Sequence, residues 1–276
     1  MTRNTLLLDG DLIAYRIAAA LEKPTHWGDG LWTLHCHEDD VNKGFVSKVE
    51  SIKAETGLKD VVVAISSPTN YRKDINPEYK ANRKTTRRPL CLYTLLDFVK
   101  EEYNHVILDN IEADDVMGIL ATQDPDKYLI VSDDKDMLTI RDARIWKDGE
   151  VVHITEQEAY EHFITQALKG DPTDGYYGVK GVGEVTARKL IDKHRGTPWS
   201  LWEGVLKAYK GNEEEALLNA RMARILTEDL WDGDKPILWN PPINQELSKA
   251  YKGNEEEALL NARMARILTE DLWDGD

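Results

Sequence analysis

Four short, almost continuous apolar runs constrain the fold of this chain more than any other feature. They lie at residues 5–9, 61–66, 105–108 and 128–132, and segments with helical periodicity separate them, the first at residues 12–21. Strands that are buried on both faces have this composition, because the side chains on either face meet apolar neighbours. Strands of this kind alternating with helices predict an α/β protein with a parallel central sheet flanked by helices.

Acidic residues stand at or after the ends of three of these runs. Asp9 ends the first run, Glu112, Asp114 and Asp115 follow the third, and Asp134 and Asp136 follow the fourth. Ligands of such sheets bind outside the carboxyl ends of the strands, so we expect these acids to converge there. Carboxylates this dense take up protons unless a cation lies among them. Oxygen ligands without nearby His or Cys favour Mg²⁺ or Mn²⁺ over Zn²⁺. For either acidic cluster alone, a solvated acidic surface is an equal alternative.

One basic segment stands out in an acidic chain. The net charge is −15, yet residues 71–88 (YRKDINPEYKANRKTTRR) carry a local charge of +5. A basic element facing an acidic metal site is typical of phosphate binding. We interpret the segment as a surface loop with some helix at residues 78–84, in which Lys80 and Arg83 share one face and Tyr79 stacks on a base or ribose. A solvated basic face with Tyr79 packed beneath it is the alternative.

A glycine-rich stretch follows an amphipathic helical pattern at residues 155–169. It holds two acids and three glycines before a predicted helix at 184–191, namely Asp171, Asp174, Gly178, Gly181 and Gly183. Glycines in such a turn let backbone N–H groups and a helix N-terminus approach a phosphate without an intervening side chain. The pattern therefore favours a helix–turn–helix element that binds the duplex backbone, although an ordinary turn between helices has the same composition.

The composition indicates one main globular domain. Charged residues make up 31% and hydrophobic residues 41% of the chain, unlike a disordered or membrane protein. The first apolar run stops at Asp9, which is too short for a signal peptide or a membrane span, so we expect a cytoplasmic protein without a membrane partner. Cys36 and Cys91 provide neither a disulfide framework nor zinc spacing.

Residues 207–234 recur without one change as residues 249–276. Solenoid repeats diverge and occur in several copies, so one identical pair indicates a recent or artificial duplication. We expect the natural fold to end soon after Pro242. Deletion of residues 243–276 should leave activity and melting temperature almost unchanged, and a large loss of either would refute this hypothesis.

Taken together, the motifs resemble the 5′-nuclease superfamily, which includes the flap endonucleases and the 5′→3′ exonuclease domains of bacterial DNA polymerases. They are LLLDGD, YKANR, EADD, SDDKDM and GDPTDG…GVKGVGEVTA, in matching order over residues 5–195. The 5′→3′ exonucleases of short-tailed bacteriophages are especially similar, through segments such as DPNYKANRK, GDDVMG and KGDITDGY. The resemblance implies a PIN-like nuclease core at 1–154 with a basic arch at 71–88, a duplex-binding element at 155–195, a helical C-terminal region at 196–242, and a linker with the repeated copy at 243–276.

The resemblance also implies roles for individual residues. It assigns a first Mg²⁺ ion to the strand-end acids Asp9, Glu112, Asp114, Asp115, Asp134 and Asp136, and a second to Asp171 and Asp174, with Mn²⁺ as a substitute. Lys80 and Arg83 match the arch residues that act on the scissile phosphate. Family members often carry a K⁺ ion at the glycine turn. The expected DNA contacts are Arg72, Lys73, Tyr79, Lys84, Gly178, Lys180, Gly181, Gly183 and Thr186.

The reaction implied is stepwise hydrolysis from a 5′ end of duplex DNA by a two-metal-ion mechanism, with flaps and the RNA of RNA–DNA hybrids as further substrates. No base-specific motif is evident, so specificity should be for structure and polarity. One position departs from the family, because Ser66 and Ser67 replace the usual acid after the second strand. We expect altered metal affinity rather than loss of catalysis. Asp11 and Asp133 have no firm counterpart and are treated as supporting or incidental.

Three other functions fit parts of the sequence. A haloacid-dehalogenase-like phosphatase would use Asp9 as a nucleophile, but it leaves the basic segment and the glycine turn unexplained. A catalytically silent DNA-binding protein would use only those two elements. A single-stranded RNA nuclease of the PIN class has the nearest fold, but it normally lacks the duplex-binding turn.

Overall fold

A six-stranded sheet forms the centre of the protein, whose computed structural model describes residues 5–243. The sheet order is β5-β4-β1-β6-β7-β8, with β2 and β3 in a separate hairpin, and every pairing in the large sheet is parallel except β7 with β8. The predicted α/β fold with a parallel central sheet is confirmed. The strands are β1 (Thr5–Asp9), β2 (Lys23–His26), β3 (Trp32–His35), β4 (Asp60–Ala64), β5 (His105–Val106), β6 (Tyr128–Val131), β7 (Arg144–Lys147) and β8 (Glu150–His153).

Nine α-helices in residues 5–243 cover the two faces of the sheet. Three short 3₁₀ helices, at Ala81–Thr85, Lys135–Thr139 and Glu228–Leu230, lie between them. Among these described residues, no helix is both long and apolar enough to cross a membrane. The helices are α1 (Gly10–Leu21), α2 (Glu38–Thr56), α3 (Arg72–Ile75), α4 (Leu92–Glu102), α5 (Ala113–Gln123), α6 (Glu156–Lys169), α7 (Glu184–His194), α8 (Pro198–Ala208) and α9 (Glu213–Ala223).

Strand β1 divides the interior into two hydrophobic cores. Leu6 and Leu8 face one core with α1, α2 and α4, whereas Leu7 faces the other with α5, α6, α8 and α9. All three leucines are fully buried. Successive side chains of a strand point to opposite faces, so the continuous apolar run is explained by cover on both sides. This central position brings the carboxyl end of β1, at Asp9, to the middle of one sheet edge.

The structure differs from the sequence interpretation at the margins of the sheet. The run at residues 105–108 pairs only over His105 and Val106, because β5 is an outer strand and the chain then leaves the sheet. The hairpin β7–β8 was not predicted. Its turn is Asp148-Gly149, with φ of 52° and 86°, a dipeptide that favours tight hairpins. The repeated copy at 249–276 lies outside the described residues.

Candidate functional site

Asp9 lies at the carboxyl end of β1 and caps α1. Its carboxylate is 4% exposed and accepts hydrogen bonds from the Leu12 N–H (3.0 Å) and the Ser132 Oγ (2.9 Å). Ser132 Oγ in turn accepts a hydrogen bond from the Asp134 N–H (3.1 Å), so one hydroxyl at the end of β6 joins the two acids. Burial, together with the charges of Asp11 and Asp134, raises the pKa of Asp9 to about 6.

Asp114 lies in the first turn of α5, which starts beyond the carboxyl end of β5. Burial and the charges of Asp9, Glu112 and Asp134 raise its pKa well above the ordinary value, and Lys80 offsets only part of this. Within residues 5–243, no donor forms a hydrogen bond with its carboxylate. An acid in this environment is stabilised as a carboxylate by a nearby cation.

Asp134 and Asp136 begin the 3₁₀ helix that follows β6. Asp134 Oδ1 accepts a hydrogen bond from the Asp136 N–H (2.9 Å), and Asp136 Oδ1 accepts one from Gln166 Nε2 (2.6 Å). Burial, with the charges of Asp134, Asp171 and Asp174, raises the pKa of Asp136 to about 6. The acids predicted for the first and second ions therefore act on each other electrostatically.

Two cations of the basic segment contact the predicted metal ligands: Lys80 lies between Glu112, the N-cap of α5, and Asp174, and Arg83 lies beside Asp174. Lys80 Nζ forms an ion pair with Glu112 and lies 3.6 Å from Asp174 Oδ2, and Arg83 also pairs with Asp174. Burial opposes ionisation of Glu112, but Lys80 and Arg72 outweigh it and hold the pKa of Glu112 at about 2. The structure thus brings both predicted catalytic cations to the acidic sheet edge.

The predicted metal ligands occupy one neighbourhood, since the charges of Asp9, Asp114, Asp134 and Asp136 act on one another. Within the described part of the chain, no three His, Cys, Asp or Glu side chains have the geometry of a metal site, and Glu112 and Asp174 are paired with cations. The donor chemistry nevertheless fits a hard divalent cation. Every donor is a carboxylate oxygen, and burial among like charges raises the pKa values of Asp9, Asp114 and Asp136.

Two predicted site residues are engaged with each other. Arg72 is 3% and Asp115 0% exposed, and Arg72 NH1 and NH2 donate to Asp115 at 2.6 and 2.8 Å. Arg72 also donates to the carbonyls of Met222 and Arg224, while the Leu226 N–H donates to Asp115. The hydrogen-bonding groups of both side chains are therefore used inside the fold, whereas the sequence predicted a DNA contact at Arg72 and a metal ligand at Asp115.

Tyr79 is also buried. Its side chain is 4% exposed, and its hydroxyl donates to Glu112 Oε2 at 2.8 Å. The ring is packed beneath the basic face, which agrees with the alternative interpretation of this segment, and stacking on a base or ribose stays a prediction. The Tyr79 hydroxyl orients one of the acids.

The glycine turn divides into a buried and an exposed part. Gly178 (φ 62°) is packed against the end of α6, where an added Cβ would lie 2.4 Å from its backbone, and its N–H donates to Asn219 Oδ1 at 2.8 Å. The Gly178 N–H is therefore used inside the fold, whereas the sequence predicted a DNA contact at this position. By contrast, the other predicted contacts of the turn and the basic segment are exposed: Lys73, Lys84, Lys180, Gly181, Gly183 and Thr186.

The two serines that replace the usual acid connect β4 to α5. Ser66 Oγ accepts a hydrogen bond from the Ala113 N–H (2.9 Å), and Ser67 Oγ accepts one from the Asn110 N–H (3.2 Å). The Ser66 N–H donates to Asp11 Oδ2 (3.0 Å), so Asp11 supports the start of the helix that carries Asp114. Asp133 is exposed and pairs with Arg16.

Sequence reasoning did not find Ser132 or Gln166. The only signal for Ser132 was its place at the end of a predicted strand, directly before the acids. Gln166 lies in an amphipathic helix and had no signal at all, because its contact with Asp136 spans 30 residues.

Comparisons with known proteins agree with this geometry. Residues 4–164 match the family model described as 5′-3′ exonuclease, N-terminal resolvase-like domain, which spans more than half of the chain. The exodeoxyribonuclease of Enterobacteria phage T3 is 31% identical and the exonuclease of Escherichia phage T7 30% identical, each aligned over 85% of this chain and 81% of the relative.

A solved structure of the T5 5′-exonuclease with bound zinc has the same fold, with a TM-score of 0.62 at 17% identity over 80% of this chain and 89% of that one. The phosphatase, silent-binder and PIN-ribonuclease alternatives do not agree with these matches. The chain is a nuclease, and it belongs to the 5′-3′ exonuclease family.

Proposed function

We propose that this nuclease releases nucleotides stepwise from 5′ ends of duplex DNA by a two-metal-ion mechanism, with Mg²⁺ as the natural ion and Mn²⁺ as a substitute. The observation that carries the proposal is the position of Lys80, which pairs with Glu112 at the start of α5 and with Asp174, beside Arg83, which also pairs with Asp174. A phosphate that approaches the sheet edge would meet both cations and the carboxylates together. The relatives named exonuclease and exodeoxyribonuclease support the same reaction.

The residues of the chain divide the task. Asp9, Asp114, Asp134 and Asp136 would hold one ion, with Glu112 in support, and Asp171 and Asp174 would help to hold the other. When bound, two such ions lower the pKa of water and stabilise the attacking and leaving oxygens of an in-line displacement. Lys80 and Arg83 would then exchange their carboxylate partners for the oxygens of the scissile phosphate. Positive charge placed there stabilises the transition state.

The exposed part of the glycine turn is the proposed contact with the duplex. A Cβ at Gly181 or Gly183 would meet nothing within 4 Å, so these glycines are not required by internal packing. Bare backbone at the N-terminus of α7, beside Lys180, suits phosphate binding without base readout. We further propose that a K⁺ ion binds at this turn. Flaps and RNA–DNA hybrids would be further substrates, and the enzyme would act in the cytoplasm of a host bacterium.

The test is degradation of a duplex that carries separate labels at its 5′ and 3′ ends, in Mg²⁺ or in EDTA. We expect Mg²⁺-dependent loss of the 5′ label first, and its abolition by Asp134→Asn. Asp133→Asn is the matched control, because Asp133 is the exposed neighbour that pairs with Arg16. Cleavage that starts at the 3′ label, or cleavage that survives Asp134→Asn, would contradict the proposal.

A further inference from the structure

A glutamine outside every recognised motif contacts a proposed metal ligand. Gln166 lies on the buried face of α6, which packs against the 3₁₀ helix that holds Asp136. Its side chain is 8% exposed, and Nε2 lies 2.6 Å from Asp136 Oδ1. A carboxylate accepts hydrogen bonds, so the NH₂ group of the amide must face Asp136.

The carbonyl oxygen of the same amide is buried without a partner. Among residues 5–243, no donor forms a hydrogen bond with Gln166 Oε1. A buried acceptor without a donor in a native protein commonly marks the place of an ordered water molecule or ion. Three other buried side-chain atoms in these residues are unsatisfied, but none of their side chains bonds to a proposed metal ligand: Asn42 Oδ1, Trp202 Nε1 and Arg224 Nε.

We infer that Gln166 is a positioning residue for the metal site. Its Nε2 holds the Asp136 carboxylate in the orientation that binds a divalent ion, and its Oε1 accepts a hydrogen bond from a water molecule coordinated to that ion. The inference rests on the proposed function, because it assumes an ion at Asp134 and Asp136. Hydrogen bonds around metal ligands of this kind raise metal affinity by about 10- to 100-fold.

The first test is calorimetric titration of the full-length protein with Mn²⁺ in the absence of DNA. Gln166→Met keeps the length and packing of the side chain but removes both the donor and the acceptor. We expect the dissociation constant for Mn²⁺ to rise about 10- to 100-fold. Gln157→Met is the matched control, because Gln157 lies at the other end of α6 and donates in the same way to Glu161 Oε1 (3.0 Å). This control should bind Mn²⁺ like the wild type.

A second readout separates positioning from a general loss of structure. The Mn²⁺ concentration for half-maximal cleavage should rise by the same factor as the dissociation constant, while kcat at saturating Mn²⁺ stays within about threefold of the wild type. Urea unfolding in EDTA checks that the variant is folded, and Gln166→Leu replaces it if the methionine variant does not fold.

The outcomes are distinguishable. Wild-type Mn²⁺ affinity in a folded Gln166 variant overturns the inference and leaves the proposed function intact. Absence of Mn²⁺ binding by the wild-type protein overturns the proposed metal-dependent function, and the role of Gln166 with it. A fall in kcat that saturating Mn²⁺ does not restore, with unchanged affinity, also overturns the positioning role.

Discussion

Arg72 and Asp115 form a bidentate ion pair that is buried where three separate parts of the chain meet. The guanidinium NH1 and NH2 lie 2.6 and 2.8 Å from the two carboxylate oxygens. Arg72 lies near the start of the basic segment, Asp115 follows Asp114 in α5, and the carbonyls of Met222 and Arg224 accept further hydrogen bonds from the guanidinium. The pair therefore connects the basic segment, the metal-ligand helix and the C-terminal region.

Arg72→Met should destabilise the protein by about 3–5 kcal/mol, because it leaves the Asp115 charge buried without a partner. The double variant Arg72→Met/Asp115→Leu should lose less free energy of unfolding than the sum of the losses in Arg72→Met and Asp115→Leu. Urea unfolding in EDTA measures both. Lys100→Met removes the exposed pair with Asp97 and should cost less than about 1 kcal/mol. Unchanged stability of Arg72→Met with weaker DNA binding would show that Arg72 contacts DNA after all.

Asp9→Asn should stabilise the metal-free protein at neutral pH. Because the folded-state pKa of Asp9 is raised from 3.8 to about 6, its contribution to stability is present below about pH 4 and is lost as pH rises through 6. Ionised Asp9 thus costs up to about 3 kcal/mol at pH 7.5, and asparagine still accepts the Leu12 N–H.

Urea unfolding in EDTA at pH 4 and pH 7.5 checks this expectation for Asp9→Asn. The gain in the free energy of unfolding should appear at pH 7.5 and be absent at pH 4, and cleavage in Mg²⁺ should be lost. Asp133→Asn, at an exposed position, should change neither the free energy of unfolding nor the cleavage in Mg²⁺. A gain of the same size at both pH values would contradict the assignment.

Lys80→Ala and Arg83→Ala should each lower the single-turnover cleavage rate by about 10²- to 10³-fold, because each removes a positive charge that the proposed mechanism places beside the scissile phosphate. Their effect on DNA affinity should be small by comparison. Lys84→Ala is the control, because Lys84 is an exposed neighbour. This variant should lower the slope of log binding constant against log salt concentration by about one in magnitude, and it should leave the cleavage rate unchanged. Equal losses of the cleavage rate in all three variants would show that the basic segment acts only by attracting DNA through its overall positive charge.

Tyr79→Phe should destabilise the protein by about 1.5–3 kcal/mol, because it removes a buried hydrogen bond to the charged Glu112. Its DNA affinity should match the wild type, since the ring is 4% exposed and does not reach the surface. Thermal unfolding and a binding titration with a labelled duplex in Ca²⁺ measure the two quantities. Weaker binding without a loss of stability would restore the stacking role.

The sheet and its acidic edge could be predicted because their signals are local. A strand covered on both faces must be apolar throughout, and Asp9 ends β1 while Asp134 lies shortly after β6. These two strands pair side by side, which brings the two acids together. The hairpin β7–β8 also has a local sequence signal, because the dipeptide Asp148-Gly149 favours a tight hairpin turn.

The roles of individual polar residues depended on contacts between distant parts of the chain. Asp114 and Asp115 are neighbours in one acidic motif, yet Asp114 faces the other acids and Asp115 faces Arg72. The different surroundings of Asp114 and Asp115 depend on a segment more than 100 residues further along the chain. Its Met222 and Arg224 carbonyls accept hydrogen bonds from the Arg72 guanidinium. The sequence by itself determined which strands and helices form the α/β core and that acids follow the strands, because apolar periodicity and the residues at the end of each run are local features. Only the tertiary structure decided which charged side chains face a ligand and which are paired internally, because that choice depends on what packs against each one.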